Sequence, residues 1–390
     1  MSERPYRTYE KSGVTIAEPT RPLSTKEWGR FFDELNERQI PGLSCGPETE
    51  DREIAIRFTD RQLKQVCRLD HLRSLSLGGC GQISDKGLGY LSGLPRLEYL
   101  DLDLNRGHNR LDLVPARITD DGLAVLRDLP HLAEVHLWSL FQITDRAIAH
   151  LGDHRKLRRV SMQRTMAGDG AIETLTGNPD MVGLSPGTQI TNAGLRHVLF
   201  FPRFRKWRQR RCYLSLMQSP RISDAGVETI SQLYGLYALV LPEGAHFNNW
   251  IKRMPEKVIN TIRYTEKGVR SLQRLSHLRK LWLTLKTDGM MEAVARIPNL
   301  QVVEGGAHRL SGTGFAALAD SSVESLGGWF CTDLTAEGLS VLTSLPHLTF
   351  LHFDELETQG RERGNGDLLY RYRFSARFRA KRRRTSLARP

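Results

Sequence analysis

One sentence of sequence returns along this chain with mainly its polar words changed. Ile83 to Leu104 reads ISDKGLGYLSGLPRLEYLDLDL, Ile118 to Trp138 reads ITDDGLAVLRDLPHLAEVHLW, and Leu334 to Asp354 reads LTAEGLSVLTSLPHLTFLHFD. Aligned at the residue before the acidic or polar start, the copies begin at Thr59, Ser84, Thr119, Thr144, Ala167, Thr191, Ser223, Thr265, Thr287, Ser311 and Thr335. The base step is close to 24 residues, with three longer steps, which predicts about eleven units and three insertions. A unit this short cannot bury its own apolar face. Copies must therefore stack on their neighbours, and the chain is constrained to a one-dimensional array.

The unit reads I-[ST]-D-x-G-L-x-x-L-x-x-L-x-x-L-x-x-L-x-L. Ser84 and Thr119 suit a helix N-cap, with the hydroxyl accepting from an orphan backbone N–H. Asp85 and Asp120 follow at the first helical position, where the helix dipole favours a carboxylate. Leu88 and Leu91 lie three apart on one face of a short helix. After Gly93-Leu94-Pro95-Arg96 the spacing drops to two, at Leu100 and Leu102, the period of a strand. Each buried Leu contributes roughly 1.5–3 kcal/mol relative to exposure. The predicted architecture is an α/β solenoid of horseshoe type, with parallel strands on the concave face and short helices on the convex face.

Two units add a cysteine: Cys80 stands three residues before Ile83, and Cys331 three before Leu334. From Phe58 to Phe353 the pattern resembles the cysteine-containing subfamily of leucine-rich repeat proteins, known from F-box substrate receptors and many bacterial repeat proteins. Most other units carry another residue at that place, among them Leu140, Gly187 and Ser219. An F-box is not visible in LSTKEWGRFFDELNERQIPG, so the resemblance implies the repeat fold without the adaptor-binding module. The cysteines are expected to be small buried residues with a weak donor to turn backbone.

Three parts follow. Residues 1–57 are a leading segment whose Ser24 to Glu37 should be a capping helix, with Ser24 or Thr25 as N-cap and Trp28, Phe31, Phe32 and Leu35 as its apolar face. Residues 58–356 are the array, with insertions near 105–117, 201–212 and 242–263. Residues 357–390 are a basic tail, partly disordered, whose Tyr370–Phe374 stretch could add a last strand.

The net charge of +12 suggests nucleic acid until it is mapped. Residues 361–390 hold 11 Lys/Arg against two acids, which leaves the rest of the chain near +3. The charge therefore speaks about the tail. The N-terminus lacks an apolar run, no stretch approaches a membrane span, and five scattered cysteines make no disulfide framework. A cytoplasmic location and no membrane contact are expected.

Chemistry finds little support. Gly42-Leu-Ser44-Cys-Gly46 and Gly183-Leu-Ser185-Pro-Gly187 match G-x-S-x-G, but the flanking prolines do not suit the strand–turn–helix that a nucleophile elbow needs. His150 and His154 have helical i, i+4 spacing beside Asp153, but Gly152 intervenes where a helix should end, so surface residues are expected rather than metal ligands. No P-loop, HExxH or CxxC occurs. No catalytic residue, metal or cofactor is predicted.

Function should then reside on surfaces. Outward strand positions include the row Ser76, Asp101, His136, Ser161, Ser185, Ser215, Val240, Trp282, Glu304, Gly327 and His352. From this row and its neighbours the candidate partner-binding residues are Tyr99, Asp101, Asp103, His136, Trp138, Arg159, Tyr213, Lys280, Trp282, Phe350 and His352. Outward tryptophans mark an interface unless neighbouring rungs or insertions cover them. The segment 201–212 offers a nucleic-acid alternative through Arg203, Arg205, Lys206, Trp207, Arg208, Arg210 and Arg211, with Phe201 and Phe204 interleaved. Those aromatics could equally pack back onto the array. The expected function is a non-catalytic scaffold for a protein partner. Nucleic-acid binding through 201–212 and 371–390, or a substrate-receptor role in a ubiquitin-ligase-type complex, are the alternatives.

Overall fold

A computed structural model describes residues 5–45, 53–103, 117–206, 211–242, 262–307, 310–331, 335–360 and 368–377. The residues up to Phe204 form one compact unit and those from Arg205 onward a second. In the first unit eight strands run in chain order: β1 (Tyr6–Lys11), β2 (Val14–Pro19), β3 (Gly42–Ser44), β4 (Ser74–Ser76), β5 (Tyr99–Asp101), β6 (Glu134–His136), β7 (Arg159–Ser161) and β8 (Gly183–Ser185). β1 and β2 form an antiparallel hairpin, and from β2 to β8 every pairing is parallel. The second unit holds β9 (Cys212–Ser215), β10 (Leu236–Val240), β11 (Lys280–Trp282), β12 (Val302–Ala307), β13 (Ser325–Cys331), β14 (Phe350–Gly360) and β15 (Leu368–Arg377). These pair in parallel until β15 folds back antiparallel on β14.

Each unit is a leucine-rich-repeat solenoid. Between consecutive repeat strands, from β4 to β8 and from β9 to β14, the chain returns through short helical segments, and the two layers close over a continuous apolar core. Leu75, Leu100, Val135, Val160 and Leu184 point inward from successive strands, and Leu88, Leu91, Leu123, Leu126, Ile148 and Leu151 meet them from the helical side, all buried. The returns are shorter than ideal α-helices. Asp85–Leu88 is one α-turn continued by the 3₁₀ stretch Gly89–Gly93, and Gly122–Asp128 is 3₁₀ throughout. Such short segments are stable only through tertiary packing.

The N-terminal helix α1 (Thr25–Glu37) matches its expectation residue by residue. Ser24 caps it in a capping box with Glu27, and Trp28, Phe31, Phe32 and Leu35 are buried. Trp28 stacks on Phe32 and meets Phe58 edge-on, which seals the first rung. Three features differ from the sequence reading. The sheet begins with β1, β2 and β3, ahead of the expected array start at 58. It also continues past 357, since β14 reaches Gly360, and β15 contains the Tyr370–Phe374 stretch read as a possible last strand. The unit aligned at Ala167 starts one residue later, with Gly168 as N-cap and its N–H on Asp145 Oδ1 at 2.6 Å.

The Ser/Thr and Asp of the repeat do more than cap their own turn. Ser84 makes no cap bond to its own helix. Instead Asp60 of the preceding rung accepts its N–H at 2.9 Å and its hydroxyl at 2.5 Å. Asp120 and Thr144, Asp169 and Thr191, and Asp224 and Thr265 repeat the same double contact. Thr144, Thr191 and Thr265 also cap their own helices. The repeated Asp is thus a clamp between rungs, stronger than a dipole contact alone because a carboxylate accepts two charge-assisted bonds.

Candidate functional site

The outward row predicted from spacing is one register line within each unit. Ser76, Asp101, His136, Ser161 and Ser185 are successive partners in the first. Ser215, Val240, Trp282, Glu304, Gly327 and His352 are successive partners in the second. The adjoining row places Tyr99 opposite Glu134 and Glu134 opposite Arg159.

In the first unit these rows build a connected patch. Glu134 accepts from His136 Nε2 at 2.8 Å and from Arg159 Nη1 at 3.1 Å, so one carboxylate joins two rungs. Burial pushes the Glu134 carboxyl up, but the His136 contact and the Arg159 charge outweigh it and hold it below the usual range. The Tyr99 ring lies 5.4 Å from the His136 ring. Beside them, Arg164 occupies a left-handed turn, φ 61°, and lays its guanidinium 5.5 Å from the Trp138 ring centroid. Burial lowers the Arg164 value, with the Asp103 carboxylate opposing it. The Trp138 indole N–H is buried and meets no acceptor among the described residues. Asp101 and Asp103, 0% and 8% exposed, offer a partner little surface. Asp101 accepts the Ser76 hydroxyl and the Asp103 N–H, each at 2.9 Å, and so braces the strand ends. Glu134 and Arg164 were absent from the sequence-based site. Glu134 was findable from its place opposite Tyr99 and Arg159.

In the second unit Trp282 is half-buried and donates its indole N–H to Glu304 Oε2 at 2.6 Å. Tyr213 and Lys280 share a row with Phe350, Tyr213 being 37% exposed. The side chains of His352 and Trp329, and the insertion cores 104–116 and 243–261, lie outside the described residues.

The basic segment is largely committed internally. Phe201 and Phe204 are fully buried core residues rather than stacking platforms, because three-residue spacing turns both rings inward. Arg203 is paired with Asp180 at 2.6 Å, and the Arg211 guanidinium lies 4.6 Å from the Tyr237 ring centroid. Arg205 and Lys206 are exposed, while Trp207, Arg208 and Arg210 lie outside the described residues, as does the tail after 377.

The motifs set aside as chemistry have structural roles. Ser44 and Ser185 end strands β3 and β8, and Ser44 reaches Glu18 at 3.4 Å. His150 Nδ1 accepts from Arg127 at 2.8 Å. His154, expected at the surface, is 6% exposed with Nε2 on the Leu126 carbonyl at 2.8 Å. Cys80 is buried with its sulfur 4.0 Å from the Gly78 carbonyl, while the Cys331 side chain is outside the described residues. Among the described residues no His/Cys/Asp/Glu group could hold a metal, and no helix is long and apolar enough to cross a membrane.

The sequence matches no family model, and no curated protein matches it. Among solved structures, the complex of Rad7 and Elc1 in yeast aligns with a TM-score of 0.46 at 15% identity, covering 84% of this chain and 88% of that one. An internalin from Listeria monocytogenes aligns with a TM-score of 0.44 at 15% identity, covering 75% and 82% respectively. The repeat geometry already defines the fold, and these likenesses add no residue correspondence at the patch.

Proposed function

We propose that this chain is a non-catalytic scaffold that holds a protein partner on the outward face of its sheet. The observation that carries this reading is the patch in the first unit, where Glu134 ties His136 to Arg159 and Tyr99 and Trp138 flank them. Aromatic rings and charges fixed by cross-strand bonds lose little side-chain entropy on binding, which favours affinity. Trp282, held by Glu304, gives the second unit an anchor of the same kind. Nucleic acid is the weaker reading, since Phe201, Phe204, Arg203 and Arg211 are engaged within the fold.

Affinity capture of the tagged full-length protein from its native lysate, with and without nuclease, tests it. A stoichiometric protein that survives nuclease and is lost in a Trp138→Ala/Trp282→Ala variant supports the scaffold. Recovery dominated by nucleic acid, with co-purifying proteins lost after nuclease, overturns it.

A further inference from the structure

A second surface lies on the helical side of the first unit, away from the sheet. There α1 and the helix Asp60–Val66 flank a groove of about 520 Å³. That volume falls within the range of specific binding clefts, about 300–1,000 Å³. Gly29, Asp33 and Asn36 form one wall, four and three residues apart and therefore on one face of α1. Arg61, Lys64, Gln65 and Arg68 form the other, and Phe32 and Leu69, each 4% exposed, form the floor.

The charge of this groove is unbalanced. Arg61, Lys64 and Arg68 are exposed, and among the described residues none of them makes an ion pair. Lys64 only leans over the Tyr90 ring, 5.7 Å from its centroid. Asp33 lines the opposite wall without closing on any of them. Arg61 and Lys64 stand three apart on one face of the helix Asp60–Val66, and Arg68 follows in the turn just past its end, lining the same wall. A helix presenting carboxylates at the same steps meets all three together, and the aliphatic stems of Arg61, Lys64 and Arg68 give its apolar side chains something to lie against. Nucleic acid fits less well. Phe32 is stacked on Trp28 beneath the surface, so a base finds no open ring to stack on. Asn36 and Gln65 can both donate to and accept from peptide groups.

We infer that this groove docks an acidic amphipathic helix of a protein partner, independently of the sheet face. The test uses the full chain and two fluorescently labelled helical peptides of equal length and Leu spacing, one with Glu and one with Lys at the polar positions. Fluorescence anisotropy should show the Glu peptide binding, with affinity that falls as salt rises. Reversal of the wall, Arg61→Glu with Lys64→Glu and Arg68→Glu, should weaken the Glu peptide about tenfold or more and admit the Lys peptide. Gly29→Leu is a plug without a charge change. The space beside Gly29 is open, and Leu is the better helix former, so this variant keeps its fold and should abolish binding. Trp138→Ala should leave the peptide bound, which separates this groove from the sheet face. Failure of the Glu peptide to bind, equal binding of both peptides, or unchanged binding in either groove variant overturns the proposal.

Discussion

Asp85 reaches out of its own repeat and closes on Thr119, Oδ1 accepting the Thr119 N–H at 2.8 Å and Oδ2 accepting its hydroxyl at 2.7 Å. The two residues are 34 positions apart, across the first long step, whereas Asp60 and Ser84 make the same contact 24 apart. The clamp therefore holds rung to rung whatever length of chain intervenes, and lets insertions grow without disturbing the stack.

Removing the clamp should cost stability. Bonds to a charged acceptor contribute about 1.5–3 kcal/mol, and two that share one carboxylate are not additive, so Asp85→Ala should lower unfolding free energy by about 2–3 kcal/mol. Asp85→Asn should cost less, because its amide keeps one acceptor oxygen. Asp70→Ala, at an exposed position without a side-chain contact, should change it by less than about 0.5 kcal/mol. Urea unfolding of the three variants measures this, and equal values for Asp85→Ala and Asp70→Ala would refute the clamp.

The glycine of the repeat serves the same contact. A Cβ on Gly122 would lie closer than 3.0 Å to both the Asp85 carboxylate and its Cα, so a side chain there must displace the clamp. Gly122→Ala should therefore destabilise by about 1.5–3 kcal/mol, the value of the bonds Asp85 gives up. Gly89 has open space around it in a helical conformation, so Gly89→Ala should be neutral or stabilise by up to about 1 kcal/mol. Opposite signs in thermal melts of the pair are the expected result.

How much of this was legible depends on the distance over which each signal acts. α1 was readable, with its N-cap left between Ser24 and Thr25, because the cap and the Trp28–Leu35 stripe act within one helix. The outward rows were readable because strand spacing alone sets them. The hairpin β1–β2 and the three-residue β3 were missed, since they lie ahead of the repeated Leu pattern and are defined by their partners rather than by that spacing. The Asp clamp was hidden behind a sufficient local explanation, the dipole at the first helical position, while its true partner lies a repeat away. At the site, Trp138 was visible but its cover was not, because Arg164 gets there from a left-handed turn that no strand row includes.

The clamp in the second unit carries a pH dependence. Burial pushes the Asp288 carboxyl up, but the Gly314 N–H, the Ser311 hydroxyl and N–H and the Gly312 N–H outweigh it, so its value falls below the ordinary 3.8. A depressed carboxylate contributes stability that is present above its unfolded value and is lost as pH falls through the folded one. Wild type should thus exceed Asp288→Asn in stability at neutral pH, with the gap closing as pH drops below about 4. Urea midpoints of both proteins across that range check it; a gap independent of pH would contradict the assignment.

The buried thiols give a last test of how tightly the first rungs close. Burial pushes the Cys67 thiol up to about 12, and Cys45 and Cys80 are driven upward by the same cause. Only the thiolate alkylates, so at about pH 8 Cys67 should react with iodoacetamide on the order of a thousandfold more slowly than a free thiol, and Cys45 and Cys80 should be slowed by the same cause. Peptide mass spectrometry before and after denaturation reads each site separately. Cys67 is the informative one, because it caps the helix Asp60–Val66 and is half-buried, whereas Cys45 and Cys80 are fully enclosed. If Cys67 labels ahead of Cys80 while the fold persists, the first rung opens locally from the end of the array. If all three label together only on unfolding, the α1 cap and the Asp60–Ser84 clamp hold the first rungs as one cooperative block.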